Sequence, residues 1–395
     1  MYPAKINPHI IRWARNRLNL SFEDVAQKIS VKPNKVKTWE MGESLPTFGQ
    51  AQKLAKALSI PLGYLFLSEP PKEEVPIPDL RTLPESKRKE FSPNFFEVLY
   101  DALRKRDWYR EFRIHEGMPP LEFVGMFKTK RDVITVAESI REHLGIKDIL
   151  SSSSWQDHLQ NLIKRAENAG ILVLCNGLVG NNPHKKLSIE EFRGFCIVDE
   201  FAPIIFVNKN DTKAAQIFTL AHELAHIWIG ESGVSNITLD PTQPPSLKIE
   251  KFCNQVAAEF LVPAKMLTKK WNRRQEVMDN VKKLARMFKV STLVILRRGY
   301  DLDLIPKPQF QSLFIHEMDV AIENMKKTAS GGDTYLNIIT RNSARFVRDL
   351  LCATLEGKVL YREAARLLNV NVDTVEKMIQ RFLKSGPENA LLLGY

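Results

Sequence analysis

Cysteine is scarce in this chain of 395 residues: there are four, at positions 175, 196, 253 and 352, and no C-x-x-C pair among them. That spacing indicates neither a disulfide framework nor a thiolate zinc knuckle, and it fits a reducing compartment. Long apolar runs are also missing. None reaches the roughly 18 residues of a membrane span, and no charged-then-apolar leader opens the chain. The expectation is a cytoplasmic protein with no membrane partner. Acidic excess is absent from both ends: the net charge of +11 divides into +5 over residues 1–70, −3 over 71–263 and +9 over 264–395. The ends are therefore the parts suited to a polyanion. For the C-terminal region a solvated helical surface explains the excess equally well.

Against that background one run stands out, Thr219-Leu220-Ala221-His222-Glu223-Leu224-Ala225-His226-Ile227-Trp228. Apolar residues recur at Ile217, Leu220, Ala221, Leu224, Ala225 and Trp228, and no Pro or Gly intervenes before Gly230. This is the period of a helix with a buried face. On it, His222 and His226 stack one turn apart, so both rings can reach one zinc ion. Glu223 lies about 100° round the helix, placed to take a proton from water at that ion. The bland reading is a pair of core histidines with hydrogen-bonded rings.

A hydrolytic zinc site needs a third protein ligand and an open fourth position. Residues Ile249 to Pro263 read as a second helix, carrying Glu250 and Glu259. Nine residues at about 100° each put the two carboxylates on opposite faces, so only one can look at the metal. The Glu250 face continues through Asn254, Ala257, Ala258 and Leu261, small enough residues to bring two helices close. Glu259 shares its face with Phe252 and Val256, a packing face with a solvated edge. Glu250 is the expected ligand and Glu259 the second choice.

Four blocks in order carry a family resemblance: Phe192-Arg193-Gly194-Phe195, Pro203-Ile204-Ile205-Phe206-Val207-Asn208, Phe218 to His226, and Glu250-x-x-Cys253-Asn254-x-x-Ala257-Ala258-x-Phe260-Leu261-Val262-Pro263. Together they resemble the ImmA/IrrE metallopeptidases. The resemblance implies that His222, His226 and Glu250 hold zinc. Departures are mild: Cys253 stands where Ala is usual, Val256 where Phe is usual and Val262 where Met is usual. A thiol one turn from Glu250 opens a route to oxidation near the metal.

Residues 8 to 66 show five short helical patterns, Pro8–Leu18, Ser21–Ile29, Pro33–Met41, Thr47–Leu58 and Pro61–Leu65. Ser21 with Asp24 three residues on has the spacing of a capping box. Leu20, Val25-Ala26, Ile29, Val36 and Trp39-Glu40-x-Gly42, with the tail Leu54 to Phe66, resemble the Cro/C1-type (XRE) helix-turn-helix family. Such a fold lays its third helix in the major groove of double-stranded operator DNA, with Lys32, Asn34, Lys35, Lys37 and Thr38 at or near it. The position opening the second helix is often Gln in this family and is Phe22 here. Either Phe22 meets a thymine methyl or the site reads differently. A five-helix module for protein contacts is the competing reading.

The expected fold class is multidomain and mainly α. An all-α helix-turn-helix domain (1–67) is followed by a Pro- and charge-rich linker (68–92) and a helical segment (93–150). An α+β zincin-like core (151–265) and a C-terminal helical domain (266–395) complete it. Ile171–Leu174, Gly194–Val198 and Ile204–Val207 read as strands. The basic, aromatic run Arg104 to Arg110 follows helically spaced Phe96, Leu99 and Leu103, which favours packing over stacking on nucleic acid. Tyr361 to Phe382 holds a faint second helix-turn-helix-like pattern. Pro78-Asp79-Leu80-Arg81-Thr82 resembles a segment of longer fused family members and has no assigned chemistry.

The function expected is a DNA-binding regulator with zinc endopeptidase activity toward a specific repressor or antitoxin-like protein. The resemblance extends to toxin–antitoxin pairs, so a toxin partner is compatible with it, and readers of this type commonly bind as a homodimer. The alternative is a non-proteolytic DNA-binding repressor or antitoxin whose zinc site is structural or idle.

Overall fold

The computed structural model describes residues 3–385 apart from 19, 59, 72–75, 80–90, 130–131, 148–149, 151, 236–247 and 326–333. The chain divides into two compact units, Met1–Pro76 with Glu90–Glu97 and Ile77–Lys89 with Val98–Tyr395. It is mainly α, and among the described residues no helix is long and apolar enough to cross a membrane.

In the first unit α1 (Pro8–Arg17), α2 (Phe22–Ile29), α3 (Pro33–Glu40) and α4 (Phe48–Ala57) lead to a 3-10 turn, Leu62–Phe66. Ser21 and Asp24 form the capping box that their spacing predicts. Ser30, in the left-handed region at φ 57°, ends α2 and turns the chain into α3. Pro33 opens α3 at a position where a missing N–H costs nothing. Ile10, Ala14, Val25, Val36, Leu54 and Leu65 meet in one apolar core, each fully buried.

The second unit holds most of α5 (Pro93–His115), then α6 (Val133–His143) and α7 (Trp155–Asn168). The strands are β1 (Leu172–Asn176), β2 (Leu178–Val179), β3 (Asn182–Lys186), β4 (Gly194–Ile197) and β5 (Ile204–Asn208). The long helix α8 (Lys213–Ile229), the short strand β6 (Gly233–Ser235) and α9 (Lys248–Leu261) follow. One sheet runs in the order β1-β5-β4-β6, parallel between β1 and β5 and antiparallel thereafter, and β2 and β3 form a separate hairpin. Every residue of β4 and β5 is buried, as expected for strands covered on both faces. α8 lies against β4 and β5 and packs along α9. Thr212 caps the start of α8, and Gly230, left-handed at φ 75°, ends it. The Pro78 carbonyl accepts from the Val234 N–H at 3.0 Å, and Asp79 bridges to Val234 in parallel, so this segment lies along the outer edge of β6. Leu80, Arg81 and Thr82 fall outside the described residues.

Helices α10 (Ala264–Lys270), α11 (Val277–Phe288), α12 (Thr292–Asp301) and α13 (Lys307–Met325) extend the core. They are followed by α14 (Thr334–Asn342), α15 (Ala344–Leu355), α16 (Tyr361–Leu368) and α17 (Val372–Ser385). The basic, aromatic run on α5 packs within the protein: Tyr109 donates to Asp349 at 2.7 Å, Arg345 donates to the Tyr109 oxygen at 2.8 Å, and the buried Lys105 pairs with Asp101.

A buried carboxyl ties α7 to the start of α15. The Ala344 N–H donates to Glu167 Oε1 at 2.9 Å, and Arg345 donates to the Glu167 carbonyl at 2.9 Å. Burial pushes the Glu167 carboxyl up to about 7, against hydrogen bonds from Ser343 and Ala344 that favour the ionised form. The stability it contributes is full below the ordinary value of 4.5 and is lost as the pH rises to about 7. Glu167→Gln removes that loss. Unfolding measured at pH 4.5 and pH 8 is expected to move in favour of the variant by about 2 to 3 kcal/mol over this interval. A constant gap would mean that Glu167 does not hold a proton in the fold.

Candidate metal centre and nucleic-acid face

His222 and His226 project from one face of α8, and Glu250 reaches them from the first turn of α9. All three are fully buried. The two Nε2 atoms lie 3.0 Å apart, His226 Nε2 lies 3.0 Å from Glu250 Oε1, and His222 Nε2 lies 3.4 Å from Glu250 Oε2. The other ring nitrogens decide what these atoms are. His226 Nδ1 faces the Glu231 carbonyl at 3.1 Å, and a carbonyl only accepts, so Nδ1 carries the proton and Nε2 a lone pair. His222 Nδ1 faces the Asn254 side-chain oxygen at 3.0 Å, with the same consequence. Two nitrogen lone pairs and a carboxylate thus converge on one buried point, and Glu250 Oε2 has no hydrogen-bond partner. Such a cluster of acceptors is repulsive without a cation. The donor set and spacing fit a tetrahedral metal, whose ligand atoms at about 2.0 to 2.2 Å from the ion lie about 3.3 Å from one another. These three residues could hold a metal ion.

The electrostatics agree. Burial works to raise the Glu250 carboxyl, but positive charge and hydrogen bonds from His222 and His226, when these rings are protonated, outweigh that and leave it at about 2, ionised; with both Nε2 atoms unprotonated, a bound cation supplies that charge instead. Glu259, the second choice of the sequence, points elsewhere: it pairs with Arg298 and accepts from the Ala264 N–H at 3.3 Å. It is only 6% exposed, so the solvated edge expected for that face is instead a buried ion pair.

Glu223 has no exposed surface, and neither carboxylate oxygen has a hydrogen-bond partner. Burial pushes its carboxyl up to about 8; the His226 side chain opposes the rise and the Glu250 charge adds to it. The Ser235 and Cys196 side chains lie close enough to favour the ionised form slightly. A cation in the adjacent cluster favours that form far more. The pocket around Glu223 is set by Gly194 on β4. A methyl group there would lie 2.5 Å from Thr219 Cγ2, 2.9 Å from the Phe206 carbonyl oxygen and 3.1 Å from Glu223 Oε1. Gly194→Ala is expected to destabilise the protein by about 1 to 3 kcal/mol through overpacking, read by thermal melting. An unchanged melt would show that α8 can move off the sheet freely.

On the first unit, Lys32, Asn34, Lys35 and Lys37 are exposed along the start of α3. Thr38 is half-buried, and its hydroxyl donates to the Lys35 carbonyl at 3.0 Å and lies 2.7 Å from the Ser44 hydroxyl. Phe22 is half-buried with the Arg15 guanidinium 4.4 Å from its ring centre, and Arg15 in turn grips Glu40 at 2.7 and 2.9 Å. Phe22 therefore covers an ion pair that clamps α1 to α3. The sequence did not reveal Ser235, the Glu231 carbonyl or the Arg15–Glu40 clamp; for Arg15, its place in the last turn of α1 was the available signal.

Comparison with known families agrees with this arrangement. Residues 166–299 match the peptidase M78 family, described as an IrrE N-terminal-like domain, and residues 11–65 match a helix-turn-helix family. Residues 342–381 match a domain of unknown function (DUF8813). No curated protein matches the chain. The chain joins a helix-turn-helix domain of the XRE kind to an ImmA/IrrE-type, peptidase M78 domain.

Proposed function

We propose that the chain is a DNA-binding regulator whose second unit is a zinc endopeptidase acting on a specific repressor or antitoxin-like protein. The observation that carries the reading is the buried convergence of His222, His226 and Glu250 beside an unpartnered Glu223. His222, His226 and Glu250 would hold zinc, which when bound supplies Lewis acidity toward a carbonyl and makes water more acidic. Glu223 takes the proton of the attacking water and returns it to the leaving amine. Asn254 and the Glu231 carbonyl fix both imidazoles in the tautomer that points Nε2 inward. The exposed residues Lys32, Asn34, Lys35 and Lys37, with Thr38 behind them, would face operator DNA, bound as a homodimer on paired half-sites. A toxin partner would belong to the same regulatory circuit.

One observation favours a second reading, a DNA-binding repressor or antitoxin with an idle or structural zinc: His222, Glu223, His226 and Glu250 all lack exposed surface. The two are separated by measuring zinc content and incubating wild type and Glu223→Gln with the products of adjacent genes, with and without promoter DNA. One zinc per chain and cleavage by wild type alone supports the peptidase. Zinc without cleavage under every condition supports the second reading. For the DNA face, Lys35→Ala is expected to weaken binding to the promoter fragment and to reduce the slope of log affinity against log salt by about 1. An unaltered slope would remove Lys35 from the interface.

A further inference from the structure

The face of α8 that carries His222 and Glu223 continues toward its N-terminus through Thr219, Phe218 and Ala215, and there it borders a cavity of about 550 Å³. The opposite walls come from α11, α12 and α13, with Leu293 and Val294 supplying apolar surface. Thr219 lines the cavity one turn before Glu223 on α8, and the two side chains flank Gly194: a methyl group there would lie 2.5 Å from Thr219 Cγ2 and 3.1 Å from Glu223 Oε1. The volume is that of a ligand pocket and exceeds what a single water cluster in a core would occupy.

The charges around it are unequal. Asp211 is held by Arg193 at 2.7 Å, and Glu317 accepts from the Thr292 hydroxyl at 2.6 Å. Lys282 and Arg286, one turn apart on α11, border the cavity and are exposed, and among the described residues neither has a carboxylate partner. Arg193 balances Asp211, Glu317 keeps its charge beside a neutral hydroxyl, and with Lys282 and Arg286 the lining is left with one positive charge in excess.

We propose that this cavity is the specificity pocket of the peptidase: it takes a bulky apolar side chain next to the scissile bond, and Lys282 and Arg286 select an acidic residue beside it. The inference rests on the peptidase reading and adds the substrate class, a protein segment with an apolar residue followed by an acidic one. Phe218, Leu293 and Val294 desolvate the side chain, and Ala215 leaves the room for it.

Peptide hydroxamates test this without turnover, because the hydroxamate anchors on zinc. Four probes carry either an isobutyl or a methyl side chain and end in either Glu or Lys. Their binding to the zinc-loaded full chain is measured by calorimetry beside acetohydroxamate. The isobutyl probe ending in Glu is expected to bind about tenfold or more tighter than its methyl counterpart, and tighter than the same probe ending in Lys. Ala215→Trp should erase the isobutyl advantage. Lys282→Glu with Arg286→Glu, both at exposed positions, should reverse the Glu over Lys preference, with zinc content and thermal melting measured on the same preparation. Equal binding of all four probes, or preferences that survive the double charge reversal, would overturn the pocket and leave the peptidase reading standing. Failure to take up zinc would overturn the peptidase reading and this proposal with it.

Discussion

Glu223→Gln is expected to keep one zinc per chain and to slow cleavage of the substrate protein by at least about a hundredfold, within the range that a general base contributes. The substitution preserves shape in a site with no spare space, where Gly194 holds β4 against α8 and Glu223 is fully buried. It removes only the capacity to carry a proton. Neither carboxylate oxygen has a well-formed hydrogen-bond partner, and the Ser235 hydroxyl and Cys196 thiol nearby can serve an amide oxygen as they serve a carboxylate. A merely structural glutamate would behave differently: its loss would lower the melting temperature and the zinc content together. Cleavage followed on gels, with zinc measured in the same preparation, separates the two. Full cleavage by the variant would sink the general-base role.

The contrast between what could be read from sequence and what could not follows from the range of each interaction. Two histidines four apart in an uninterrupted apolar period share a helix face by local geometry alone, and α8 presents them so. The same arithmetic separates Glu250 from Glu259 on α9, and the structure brings the first to the histidines and sends the second to Arg298. Nothing local marks Arg298 as that partner, 39 residues away in the chain and on another helix. β6 was illegible for a related reason: Gly233-Val234-Ser235 is too short to show a period, and it becomes a strand by pairing with β4 on one side and receiving Pro78 on the other. The β2–β3 hairpin was missed because Asn182–Lys186 is polar and mostly exposed, without the alternation of a half-buried strand. Phe22 shows a second use of a position that departs from a family pattern. The missing Gln points to altered DNA contact, and the ring also covers the Arg15–Glu40 clamp, a packing role that the pattern does not show.

Zinc is expected to raise the stability of the metal-free protein, by about 4 kcal/mol when free metal stands a thousandfold above its dissociation constant. Comparing two carboxylate variants of α9 then assigns the ligand. Glu250→Ala should lose nearly all of this response, because it removes the charged acceptor that faces both Nε2 atoms at 3.0 and 3.4 Å. Its metal-free form should suffer less, since those acceptor atoms repel one another without a cation. Glu259→Ala should do the opposite. It leaves Arg298, 8% exposed, as a buried cation without its carboxylate, which costs about 3 to 5 kcal/mol. The zinc increment should survive, because Glu259 touches no atom of the cluster. Thermal melts of wild type and both variants, with and without zinc, give the four differences required. A zinc response lost in Glu259→Ala and kept in Glu250→Ala would reverse the assignment. It would also require α9 to turn through half a circle, breaking the Arg141 contacts to the Phe260 carbonyl and the Glu259 ion pair together.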